Sequence, residues 1–217
     1  MTIAPITIEP MQAKYNPQVS RLLVHGFRGK FQTLTNMNDD DLALFFENLF
    51  EHYPTEPAGQ RMAALQDGKV IGTISIKWKP EYDMKQKQKL PSRKSFNRLG
   101  KWNQVKMLIG LSLLDHKPQA GECYIADIVV HPDHRSKGVG KLLLQWAQHF
   151  VLTEPHLDVL SLHVVGSNPR AKHLYELLSF QTHLQKNSLV RHLLFNESKW
   201  DYMLMKLKQS ESIRGEI

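Results

Sequence analysis

Apolar positions along this chain recur at two periods, and the alternation between them predicts its elements. Ile3 to Glu9 alternates apolar with small or polar residues, the pattern of a first strand. Pro17 suits the first turn of a helix, and Val19, Leu22, Leu23 and Phe27 then repeat at helical spacing. A second helix begins near Asn38 or Asp39, either of which can cap it. Leu42, Phe45, Phe46, Leu49 and Phe50 form its apolar face, and Pro54 follows its end. Arg61 to Gln66 and Lys69 to Lys79 flank Asp67-Gly68, a hairpin signal, so both runs are expected as consecutive antiparallel strands. Pro80 to Gly100 is polar and basic without a period. Lys101 to Leu114 then predicts a helix with Trp102, Val105, Met107, Leu108, Leu111 and Leu114 available for packing.

The second half is more regular. Glu122 to Val130 reads as a strand, and Val139 to Leu152 as a helix with Leu142, Leu143, Trp146 and Phe150 toward the core. Val159 to Val165 is a further strand. Pro169 to Leu178 is a helix capped by Ser167 or Asn168, with proline in its first turn. Phe180 to Gln185 and Trp200 to Leu207 complete the strands, and the polar tail 209–217 is expected to fray. The strand–loop–helix–strand–helix unit predicts two neighbouring parallel strands joined by a right-handed crossover, hence an α/β (α+β) class.

Between the strand ending at Val130 and the helix starting at Val139 lies Arg135-Ser136-Lys137-Gly138-Val139-Gly140. A strand that turns through glycines into a helix leaves first-turn N–H groups unpaired at the positive end of the helix dipole. Gly138 and Gly140 lack a Cβ, so an anion can approach those amides closely, and Arg135 and Lys137 add charge. The spacing R-x-x-G-x-G is neither the dinucleotide fingerprint nor the P-loop.

Composition narrows the class without changing it. A length of 217 residues fits one domain, or one carrying a large insertion, and 41% apolar with 23% charged residues is ordinary for a globular protein. No apolar run approaches the ~18 residues needed to cross a membrane. The N-terminal stretch lacks the basic and apolar regions of a signal peptide, so a cytoplasmic location is expected. The lone Cys123, in an apolar strand, reads as a buried inert thiol. The net charge of +7 is concentrated between Lys77 and Lys106, where only Glu81 and Asp83 oppose the Lys and Arg side chains. Such a run reads as a solvated surface, with an acidic substrate or nucleotide phosphates as the other reading. No nucleic-acid recognition motif accompanies it.

The segment YIADIVVHPDHRSKGVGKLLLQWA, followed by LSLHVVGSNPRAKHLYELLSFQ, resembles the GNAT acetyltransferase superfamily. The matching features come in order: the strand ending at Val130-His131-Pro132, the glycine loop, the strand leading to Asn168, and the helix carrying Tyr175. The resemblance covers Glu122 to Gln181 and extends more loosely to both ends. It implies a single domain over 1–217 with a mixed sheet of about seven strands and helices on both faces. Residues 80–121 would be an insertion between the third and fourth strands, able to form a lid, an acceptor-site wall or a dimer contact, or simply to cover an exposed apolar patch. The fourth and fifth strands would splay, with the pantetheine arm of acetyl-CoA, the cosubstrate, in the gap. The resemblance further implies that backbone groups of Ile128, Val129 and Val130 pair with that arm. The pyrophosphate would rest on amides of Arg135, Ser136, Lys137, Gly138, Val139, Gly140 and Lys141, with Asn168 as a further contact or simply a helix cap.

Acetyl transfer to a primary amine needs a base for the ammonium, a polarised thioester carbonyl and a proton for the leaving thiolate. Tyr175 follows Asn168 by two helical turns and matches the family's proton donor; a plain core tyrosine is the other reading. The base is open. His163 stands where some relatives carry a glutamate, with a satisfied core or surface histidine as the other reading. Asp127 is an ionisable residue in an apolar strand, with a hydrogen-bonded structural acid or an acceptor-binding residue as the other reading, and Glu122 is a third candidate. His131 and His134 have no completing metal ligands, and no metal is expected. The resulting expectation is an acetyl-CoA-dependent N-acetyltransferase acting through a ternary complex on an amine of a small molecule or protein, without membrane or nucleic-acid partners. A non-catalytic acyl-CoA sensor of the same fold is the alternative, and a homodimer is left open.

Overall fold

The computed structural model describes residues 4–52, 58–80 and 100–208. Most of the basic stretch, Pro54 after the second helix and the polar tail therefore lie outside the described residues, and so does the start of the first strand. Among the described residues, seven strands form one sheet in the order β1-β2-β3-β4-β5-β7-β6. They are β1 (Thr7–Pro10), β2 (Gly59–Gln66), β3 (Lys69–Trp78), β4 (Glu122–Val130), β5 (Val159–Val165), β6 (Gln181–Asn187) and β7 (Lys199–Lys206). The helices are α1 (Asn16–Phe31), α2 (Asp39–His52), α3 (Lys101–Leu114), α4 (Val139–Thr153), α5 (Pro169–Leu177) and α6 (Leu189–Phe195). Only β4 and β5 pair in parallel; the rest of the sheet is antiparallel.

Local chemistry accounts for most boundaries. Pro17 sits in the first turn of α1, and Asn38 caps α2 by accepting from the Asp41 N–H at 2.8 Å. Asp67 and Gly68 both hold positive φ, as a tight two-residue hairpin turn requires. Between β6 and β7 the chain forms α6, which the alternating pattern did not reveal, because seven residues are too few to display a helical period.

Alternating side chains of the sheet feed two cores. One joins α1 and α2 to Met107 of α3, Val129 of β4 and Phe195 of α6. The other packs α4 and Tyr175 of α5 against Cys123 and Ile125 of β4, Leu160, Leu162 and Val164 of β5, and Met203 and Met205 of β7. Two expectations about packing are corrected. In α4 it is Leu144, fully buried, that turns inward with Leu143, while Leu142 is exposed. In α3 Met107 is buried, but Trp102 is 80% exposed and Val105, Leu108, Ile109 and Leu113 are also exposed. Polar residues such as Asn103, Gln104, Lys106 and Ser112 are interspersed with apolar ones around this helix, so its sequence did not mark the face that packs.

Candidate active site

The sheet is split at its centre. Rungs between β4 and β5 run from Glu122–Val159 to Ile125–Leu162 and stop there. On its other side β4 stays paired with β3 up to Gly72–Val130, but with a bulge: Ser75 pairs with Asp127 and Ile76 with Ile125, leaving Ala126 as the extra residue. A bulge bends its strand and increases the twist. Beyond it the β4 backbone from Ala126 to Val130 has no partner in β5, whose own last residues pair only with β7. Ile128, Val129 and Val130 thus line the open edge, and Ala126 is exposed in mid-strand.

At the end of this edge lies the glycine loop. Pro132–His134 forms one 3-10 turn, Ser136 has φ 61°, and Gly138 is left-handed at φ 84° as the N-cap of α4. The first-turn amides of Val139, Gly140 and Lys141 have no carbonyl one turn before them within the helix. Arg135 Nε donates to Val130 O at 3.3 Å, tying the loop to the split edge. A Cβ on Gly140 would lie 3.3 Å from Leu174, so glycine there lets α4 and α5 approach closely. Arg135, Ser136, Lys137, Gly138 and Lys141 are exposed. Sequence reasoning passed over Arg170, which lies in the first turn of α5 and donates to the Ser136 hydroxyl, adding a cation to the loop.

Asn168 is the N-cap of α5, its Oδ1 accepting from the Ala171 N–H at 3.1 Å. Along the same helix, Tyr175 is buried against Phe180 in the α4-side core. Burial pushes its phenol up to about 12, so the hydroxyl keeps its proton at neutral pH.

The base candidates occupy the opposite, α1-side face, and their environments differ sharply. Both oxygens of Asp127 accept from Arg61 at 2.7 Å, and that guanidinium also lies 5.1 Å from the Phe50 ring. Glu122 is 4% exposed and accepts from the Gln119 N–H at 2.7 Å, His116 Nε2 at 2.9 Å, Tyr202 Oη at 2.8 Å and the Ser161 hydroxyl. Burial alone would raise its carboxyl; the hydrogen bonds from His116, Ser161, Gln119 and Tyr202 prevail and hold it at about 2. His163 Nδ1 lies 3.1 Å from Tyr124 Oη. Its ring contacts those of His116, Tyr124 and Tyr202 at centroid distances of 5.4, 5.7 and 5.0 Å. The structure therefore brings His163 and Glu122 into one cluster and leaves Asp127 in a separate ion pair. His116, Tyr124 and Tyr202 were missed because they come from a loop and two different strands and share no motif.

Lys30 of α1 lies over the rings of Phe27 and of Trp200 of β7, at 4.8 and 5.2 Å. Burial pushes its ammonium down to about 8, opposed by the charges of Glu197 and Asp127. Cys123 is fully buried, and burial raises its thiol to about 12, as for an inert thiol. Among the described residues no group of His, Cys, Asp and Glu could hold a metal, and no helix is long and apolar enough to cross a membrane.

Residues 30–180 match the family described as Acetyltransferase (GNAT) family. A spermidine N(1)-acetyltransferase of Vibrio cholerae is 32% identical over 84 residues, 39% of this chain and 47% of that protein, so the match spans about half of the relative. Among solved structures, a putative GNAT acetyltransferase from Desulfovibrio desulfuricans superposes with a TM-score of 0.60 at 12% identity, covering 94% of this chain and 100% of the other. An acetyltransferase from Thermus thermophilus gives 0.55 at 14%, covering 95% and 99%. Such identities speak to the fold alone, which agrees with the split sheet and glycine loop. On the match to residues 30–180, the chain belongs to the GNAT acetyltransferase family.

Proposed function

We propose that this protein transfers an acetyl group from acetyl-CoA to a primary amine, the amine attacking the thioester directly in a ternary complex. The observation that carries this reading is the parting of β4 from β5 after Ile125–Leu162, with the glycine loop directly beyond the free edge. A thioester arm fits an unpaired strand edge, because backbone groups there need partners. A pyrophosphate fits amides of Arg135 to Lys141 at a helix start, with Arg135, Lys137 and Arg170 nearby. Acetyl-CoA supplies the activated acyl group; the remaining work falls to the protein. Ile128, Val129 and Val130 offer backbone groups that hold the arm, and an N–H near Val130 polarises the carbonyl. Asn168 supports the same end of the gap while capping α5.

His163 is assigned as the base that takes the amine's proton, and Tyr175 as the acid that supplies one to the thiolate. Of the roles open in the sequence, Asp127 is assigned that of a paired structural acid rather than the base: its oxygens are spent on Arg61, and it fixes that side chain beside the site. Glu122, fully hydrogen-bonded and strongly acidic, organises its neighbours and is too weak a base to accept the proton. The relative that acetylates spermidine makes polyamines the first acceptors to test, followed by amino acids and peptide amines. The decisive experiment is an acceptor screen with thiol detection, paired with calorimetry of acetyl-CoA binding. Release of coenzyme A that requires an amine supports the reading. Tight binding without turnover on any amine would favour an acyl-CoA sensor, and absence of binding would reject both.

A further inference from the structure

We propose that Tyr124 is a positioning residue for His163: its phenol oxygen accepts the Nδ1–H, so that Nε2 is the nitrogen that takes the acceptor's proton. The inference rests on His163 being the base, and it explains how a histidine could be held in the one tautomer that works. A neutral imidazole carries one N–H, and the hydrogen bond at one nitrogen decides which atom the other presents. Tyr124 Oη and His163 Nδ1 are 3.1 Å apart across the last rungs that β4 and β5 share.

Tyr124 is itself tightly held. The residue is only 6% exposed, and its ring lies 4.3 Å from that of His116. His116 follows α3, so the insertion expected from the sequence supplies part of the site. The imidazole of His116 donates to Glu122, which also receives the Tyr202 hydroxyl from β7 and the Ser161 hydroxyl from β5. The titratable groups whose rings meet that of His163 are Tyr124 of β4, His116 after α3 and Tyr202 of β7, and Glu122 of β4 is bonded to the last two. His183 of β6 lies beyond Tyr202, while Lys77 of β3 lies over Tyr124 and is paired with Asp115.

The sign follows from the direction of the bond. An Nδ1–H donated to the phenol oxygen is stronger when the ring is cationic, so Tyr124 raises the proton affinity of His163. The reverse arrangement, with Tyr124 donating, would place the proton on Nε2 and leave no basic nitrogen for the acceptor.

The test is the pH dependence of kcat/KM for Tyr124→Phe and His163→Asn with acetyl-CoA and an amine that the wild type acetylates. For Y124F, kcat is expected to fall roughly tenfold with KM for acetyl-CoA unchanged, and the acidic limb to move to lower pH. An unmoved limb, or one displaced to higher pH, overturns the role of Tyr124. If H163N keeps the wild-type limb, the base assignment itself fails; loss of the limb in H163N with no shift in Y124F removes only the positioning role. Imidazole 15N shifts of the intact wild-type protein give a second reading that needs no variant. A neutral His163 protonated at Nδ1 supports the proposal, and one protonated at Nε2 defeats it.

Discussion

Arg61 on β2 grips both carboxylate oxygens of Asp127 on β4 at 2.7 Å, spanning β3 to do so. The two side chains are only 13% and 15% exposed, so each is the main solvent for the other's charge. Removing one partner of such a pair strands the other. Arg61→Ala should therefore lose about 3 kcal/mol of stability in urea titration, while Asp127→Asn should keep the acidic limb of the pH–rate profile. A D127N enzyme without that limb would return Asp127 to the role of base.

Tyr175 keeps its phenol proton because burial raises it to about 12. Tyr175→Phe deletes one oxygen from a well-packed ring and should leave calorimetric affinity for acetyl-CoA unchanged. Turnover should fall by roughly tenfold to a hundredfold. Unaltered kcat would make Tyr175 a packing residue and leave the thiolate to be protonated by water.

The glycine loop can be probed from two directions. Gly138 has open space around its Cα but a φ of 84°, so Gly138→Ala strains the backbone at a cost of about 1 kcal/mol. Gly140 has ordinary φ but faces Leu174 at 3.3 Å, so Gly140→Val separates α4 from α5. Both variants should bind acetyl-CoA more weakly by calorimetry. Unchanged binding in both would remove this loop from the proposed cosubstrate site.

Glu122 links folding to acid. Its carboxyl is lowered from an ordinary 4.5 to about 2, so the unfolded chain binds the proton more readily. The stabilisation is fully present above about 4.5 and is lost as pH falls toward 2, on the order of 3 kcal/mol in all. Wild type should lose denaturation midpoint steeply across this window and Glu122→Gln much less so. Parallel curves for the two proteins would refute the linkage.

Lys30 also favours folding as pH rises, but as the relief of a cost rather than the gain of a stabilising charge. Its ammonium is lowered from 10.5 to about 8, so holding the charge in the folded state costs stability below about 8. That cost is relieved as pH rises from 8 toward 10.5. Lys30→Met should accordingly melt higher than wild type near neutral pH, with the advantage shrinking in alkali. A variant that melts lower at neutral pH would mean that contacts with Phe27 and Trp200 outweigh desolvation.

The local order of the chain is legible in its sequence. Periodicity placed β4 and β5 with their observed boundaries, and the cap at Asn168 and the turn at Asp67-Gly68 follow from residues whose preferences act over a few bonds. The glycine loop was equally visible, since unpaired amides at a helix start depend only on chain order. Tertiary structure decided everything that depends on which distant residues meet. Asp127 and His163 looked alike as candidates, and only the arrival of Arg61 from β2 and Tyr124 from β4 separates them. Glu122 became a hub because His116, Ser161 and Tyr202 converge on it from the loop after α3, from β5 and from β7, and an acid's strength is set by those neighbours rather than by its own sequence position.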